Sequence, residues 1–123
     1  MEQIIWVVLL MNGVWDFISF ISICINTSYC SPIAEMHLGL WLDQLDQTNP
    51  AAIFLMSLCM LALSAARVCV CIDESLWSVA VFSYLIEFVF GAAGVYLGLL
   101  HIYRGAFVAL SSGVLAVIVI IFH

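Results

Sequence analysis

The stretch that decides the architecture runs from Ala51 to Leu100: AAIFLMSLCMLALSAARVCVCI (51–72), DES (73–75) and LWSVAVFSYLIEFVFGAAGVYLGLL (76–100). Its long runs hold 22 and 25 residues, with one charged residue each, Arg67 and Glu87. About 17–25 apolar residues cross a hydrocarbon core of about 30 Å, so each run has the length of a transmembrane helix. Only helices and closed barrels satisfy their backbones in lipid, and neither run alternates as a barrel strand must. The polar tripeptide between them leaves room for a tight turn alone, so the two helices form an antiparallel hairpin. Asn49 and Pro50 supply an N-cap and a proline at the first helical position.

Reading outward, Ile4–Ile25 is a third such run with Asp16 as its single charge, and Gly105–Phe122 is a fourth. The expected fold is an all-α integral membrane protein, a four-transmembrane-helix bundle forming one membrane domain over 1–123. Its helices are expected near 4–25, 51–72, 76–100 and 105–122. The first loop, 26–49, is the sizeable extramembrane piece. In it Leu38, Trp41, Leu42 and Leu45 recur at helical spacing, opposite Asp43, Gln44, Asp46 and Gln47. That pattern predicts a short amphipathic interfacial helix over about residues 34–46, with Trp41 at headgroup depth. With an even number of spans, both termini share a side with the Asp73-Glu74 turn, opposite the His101–Arg104 turn. Each side holds about one arginine, so the positive-inside rule fixes no orientation.

Composition agrees. Of 123 residues, 67 % are hydrophobic and 8 % charged, against about a quarter charged in a soluble domain. Eight acids stand against two arginines, Arg67 and Arg104, and no lysine. Such a chain has no basic patch for nucleic acid and no polybasic anchor for a lipid surface. The first run lacks a basic n-region and a small-residue cleavage site, so it is expected to be a retained helix. The cysteines make no zinc pattern; Cys59, Cys69 and Cys71 lie in an apolar run, where cysteine acts as a small hydrophobe. Cys24 and Cys30 would form a short disulfide if their side of the membrane is oxidising.

Ionisable groups inside a membrane are expensive and mark candidate functional sites. Counted from the side of the termini at about 1.5 Å per residue, Asp16 and Glu87 lie roughly 18 and 17 Å deep, and Arg67 only about 8 Å deep, with a side chain long enough to reach water or to reach inward. Asp16 shares a stripe with Asn12 and Ser19, at i−4 and i+3, that must face protein or water. Three roles are open to the acids. They meet and bind a proton or cation, as in a small transporter; they fix packing within the chain; or they pair with a basic residue of another subunit. The shortage of basic residues gives weight to the last. Gly91, Gly94 and Gly98 form a small-residue face for helix packing, as do Ala62, Ala65 and Ala66 on helix two and Ser111, Ser112 and Gly113 on helix four.

His101 is the candidate axial ligand for haem or chlorophyll, and Glu87 a candidate ligand for the magnesium of a chlorophyll. His37 lies in the loop and His123 at the opposite side, so a bis-histidine haem site is not expected. No GxSxG or HExxH motif occurs and no metal cluster is indicated, so no catalytic residue is expected.

The run from Ala62 to Phe88 resembles the middle of a family of four-helix scaffolds of lipid biosynthesis. There an arginine ends one helix, a short turn follows, and the next helix carries an aromatic and an acid. The resemblance covers about a quarter of the chain, rests on Arg67, Tyr84 and Glu87, and implies a scaffold role in the endoplasmic reticulum. That family's His-Phe pair before the acid is absent; Tyr84-Leu85-Ile86 stand there. Small multidrug transporters likewise have four helices and a membrane glutamate, but theirs is in helix one.

The leading functional expectation is a non-catalytic accessory subunit of a larger membrane complex, respiratory or photosynthetic. Its partners would be other membrane subunits and lipids, with chlorophyll, carotenoid or haem as candidate cofactors. The mitochondrial inner or thylakoid membrane is the favoured location, ahead of the endoplasmic reticulum or plasma membrane. Three features motivate it: minimal extramembrane mass, small-residue faces, and buried acids with too few internal partners. The alternatives are a small dimeric proton- or ion-coupled transporter using Asp16 and Glu87, and the lipid-biosynthesis scaffold.

Overall fold

A computed structural model describes residues 2–25 and 50–123. The interfacial helix expected over 34–46 lies outside them, as do Asn49, Cys30 and His37. The described residues are all helical in their regular structure, without strands. The elements are α1 (Gln3–Ile25), α2 (Pro50–Ile72), a short 3-10 turn (Glu74–Leu76), α3 (Trp77–Tyr96) and α4 (Ile102–Phe122). All four α-helices are long and apolar enough to cross a membrane.

The helix boundaries follow local chemistry. Pro50 is the first residue of α2, where its missing N–H is not needed. After Ile72, Asp73 is extended and its carboxylate accepts the Ser75 N–H at 3.0 Å, capping the 3-10 turn. Hydrogen bonding from the Ser75 side chain and backbone N–H holds the Asp73 carboxyl below its ordinary value. This group is depressed in the folded chain, so its support for the turn is full at neutral pH. It fades as the pH falls through that lowered value.

The third helix ends at Tyr96, four residues before the expected Leu100. Gly98 adopts φ +69°, a left-handed conformation that glycine takes without steric cost. The Leu99 N–H then reaches the Gly94 carbonyl at 2.9 Å and the Gly98 N–H the Val95 carbonyl at 3.1 Å, the pattern of a Schellman close. Hydropathy alone stays high through Leu97–Leu100 and does not register this stop. The fourth helix begins at Ile102, three residues before the expected Gly105, directly after extended His101.

The helices associate as two close pairs, α1 with α2 and α3 with α4; α2 and α3 meet more sparsely, and α1 and α4 more sparsely still. Within the first pair Gly13 faces Ser64 and Val68, and the Ser64 hydroxyl donates to the Gly13 carbonyl at 2.7 Å. In the second pair a Cβ added at Gly91 would sit 2.9 Å from the Gly105 oxygen and the Ala109 nitrogen. Such contacts explain the tight approach, since small residues let helix backbones come together. A core common to all four helices (Ile5, Leu9, Val70, Ala80, Val81, Tyr84, Ala116, Val119) occupies the end nearest the termini. Toward the other end, Ile23, Met56, Met60 and Leu63 form a cluster of α1 and α2 alone.

The small-residue faces therefore divide. Gly91 packs against α4, and Gly94 lies under Leu100 of the turn. Gly98 sits in that turn with open space around it, so its role is conformational rather than packing between helices. Ala62 and Ala65 face outward, and α2 makes its close contact with α1 at Gly13 and Ser64 instead.

Gly91→Ala should destabilise the α3/α4 pair by about 1–3 kcal/mol, because the obstructing atoms are backbone and cannot move aside. Gly113→Ala should cost less, since its new Cβ would meet only the Phe88 ring, at 3.2 Å. Unfolding of the two variants in mixed micelles compares them directly.

Candidate functional site

The seam between the two helix pairs is crossed by a buried polar cluster. Its positions come from helical stripes. On α1 the buried face runs Ile5, Leu9, Gly13, Asp16, Ser19 and Ile23, so Asp16 is turned inward by the same periodicity that buries the leucine. On α2, Met60, Leu63, Ser64, Arg67 and Val70 form the facing stripe. On α3, Ser83, Tyr84 and Glu87 lie within one turn of each other, and on α4 Ser112 falls between buried Ala109 and Ala116.

Arg67 is the hub. Its Nη1 donates to Asp16 Oδ2 at 2.6 Å and its Nη2 to Glu87 Oε2 at 2.5 Å. The Nε donates to the Ser83 hydroxyl at 3.2 Å, and the guanidinium carbon lies 4.2 Å from the centre of the Tyr84 ring. Planar, multi-donor recognition of this kind suits arginine and not lysine. The Ser112 hydroxyl adds a bond to Glu87 Oε2 at 3.0 Å. One turn toward the termini, Asn12 Nδ2 donates to the Tyr84 hydroxyl at 3.0 Å, again across the seam. Arg67 is 3 % exposed, Asp16 5 %, and the Glu87 side chain 17 %. Each buried side-chain nitrogen and oxygen among the described residues has a hydrogen-bond partner.

Asp16 and Glu87, expected at matching depth, are thus brought together with Arg67 lying between them. Counting residues to the α-carbon placed Arg67 near the surface; its side chain extends inward along the helix and closes the gap. One expectation changes and one open alternative closes. The acids do have an internal partner, so their presence does not require a basic residue from another subunit. Ser19 bonds the Trp15 carbonyl at 2.8 Å, and with Asn12 and Asp16 it faces protein rather than water.

The ligand candidates fall elsewhere. His101 is exposed at the start of α4, with its ring 5.3 Å from that of Tyr103. His123 stacks on Trp77 at the opposite end, 4.2 Å between ring centres. Glu87 Oε2 is engaged by both Arg67 and Ser112. Cys24 is exposed and free.

Sequence reasoning missed Ser83 and the role of Tyr84. The available signal was spacing: with Glu87 they stand at i, i+1 and i+4, a polar patch on an otherwise apolar helix. No protein-family model, curated protein or solved structure matches this chain. The partial resemblance of Ala62–Phe88 therefore assigns no family.

Replacing Arg67 with glutamine should be the most damaging single change here, about 3–5 kcal/mol, because it leaves the Asp16 and Glu87 carboxyls without their charged donor. Tyr84→Phe should cost only about 1 kcal/mol, losing the Asn12 bond but keeping the ring under the guanidinium. Asn12→Ala added to Tyr84→Phe should cost little more, a non-additivity readable from unfolding of the double variant.

Proposed function

We propose that the chain is a multi-pass membrane protein serving as a non-catalytic accessory subunit of a larger membrane assembly. The observation that carries this reading is a division of surfaces. The polar groups are bonded to one another in the interior, while the helices turn large apolar side chains outward. On α4, Phe107, Leu110, Val114, Val117 and Ile121 are each more than half exposed, at alternating spacings of three and four residues. On α3, Phe82, Val89 and Phe90 are likewise exposed. Such faces suit neighbouring helices and acyl chains. Respiratory and photosynthetic complexes of the mitochondrial inner or thylakoid membrane are the proposed setting. One earlier motive, acids lacking internal partners, no longer contributes.

A second reading is favoured by one observation: two carboxylates share a single guanidinium. A small dimeric proton- or ion-coupled carrier would use that imbalance, with Asp16 and Glu87 as coupling acids. It predicts substrate-dependent flux in vesicles that vanishes in Asp16→Asn and Glu87→Gln.

Extraction in mild detergent, followed by native mass and absorbance, separates the two. A large assembly containing this chain is the expected outcome, with chlorophyll, carotenoid or haem bands naming its type. A colourless species of one or two chains would overturn the subunit reading.

A further inference from the structure

The triad's charge count points to a bound proton. With all three groups ionised, two carboxylates against one guanidinium leave a net negative charge in an interior where every other neighbour is apolar or neutral. The groups around it can be named by helix: Asn12 and Asp16 on α1, Arg67 on α2, Ser83, Tyr84 and Glu87 on α3, Ser112 on α4. The other basic side chain of the described helices, Arg104, is eight residues before Ser112 on α4, about 12 Å along the axis. An uncompensated charge in an apolar interior takes up a proton rather than persist.

The geometry also selects the carrier. Arg67 is tied to α3 by its bond to Glu87, its bond to Ser83 and its position over Tyr84, but to α1 by the Asp16 bond alone. Glu87 Oε2 accepts a second bond from Ser112, which favours its anion, and its side chain is the more exposed of the two acids, 17 % against 6 %. At Asp16 the arginine bond ends on Oδ2, so Oδ2 can remain the accepting carbonyl oxygen while Oδ1 carries the proton. We propose that this triad is a one-proton binding site, occupied at neutral pH on Asp16 Oδ1, with Arg67 and Glu87 as its ionised pair. The bound state has zero net charge. Release of the proton leaves Asp16 and Glu87 competing for one guanidinium that spans the seam between the helix pairs. The inference rests on the triad alone and holds for a subunit or a carrier.

Infrared spectroscopy of the full chain in lipid nanodiscs tests it. At neutral pH the wild type should show the carbonyl stretch of a protonated carboxyl, shifted by aspartate labelled with carbon-13 at the side-chain carboxyl and unmoved by labelled glutamate. The band should disappear in Asp16→Asn and equally in Glu87→Gln, because either change leaves one carboxylate matched to one guanidinium. Isotope labelling of the wild type decides the matter even if a variant fails to fold. A band that moves with labelled glutamate would put the proton on Glu87. Absence of any such band at neutral pH would show the triad carrying its negative charge unneutralised. Either result overturns the proposal.

Discussion

The position of one guanidinium governs how this chain is put together. Arg67 makes four close side-chain interactions, one with Asp16 of α1 and three with Ser83, Tyr84 and Glu87 of α3, and none of them is a surface salt bridge. The two helix pairs are each closed by backbone approach, at Gly13 and Ser64 in the first and at Gly91, Gly105 and Ala109 in the second. The seam between them has fewer close contacts, and there the directional bonds of Arg67 and Asn12 fix the register. A buried ionic network is a poor source of net stability, because desolvation consumes much of its attraction. Its contribution here is specificity: removing Arg67 leaves the carboxyls of two different helices without their shared donor.

This division of labour explains why the core is uneven. Where all four helices share apolar side chains, from Ile5 to Tyr84 and Val119, packing alone selects the arrangement. Beyond the triad, the clustered residues Ile23, Met56, Met60 and Leu63 belong to one pair. The charged cluster therefore sits at the border between a four-helix region and a region where the pairs keep to themselves.

Much of this was legible in the sequence, and for identifiable reasons. Run lengths and the Asp73–Ser75 punctuation determine four helices, since a hydrocarbon thickness is a strong constraint on length. Asp16 and Glu87 could be matched in depth because rise per residue is nearly constant. What sequence left open depended on side-chain reach and on conformation. The depth of Arg67 left open whether its charge reaches water or the interior, since a long side chain decouples its charge from its backbone. Gly94 and Gly98 share a GxxxG spacing, yet Gly98 terminates the helix; the same residue type serves close packing or a left-handed turn, and spacing does not distinguish them. Ala62 and Ala65 of α2 are small enough to pack but face outward, while the buried small residue at the α1–α2 contact is Gly13 of α1.

The chain order of the charges has a further bearing on biogenesis. Asp16 and Arg67 belong to the first pair, and they precede Glu87 along the polypeptide. As the chain emerges, the first hairpin can therefore present an acid and a base already neutralising each other, a less costly passenger for an apolar phase than either charge alone. Glu87 arrives later, on a helix whose own partner follows after a five-residue reversal at Leu97–His101. Its arrival brings a second carboxyl to one guanidinium. Assembly of the second hairpin onto the first is then a charge-exchange event as well as a packing one, with Arg67 passing from sole ownership by α1 to joint ownership across the seam.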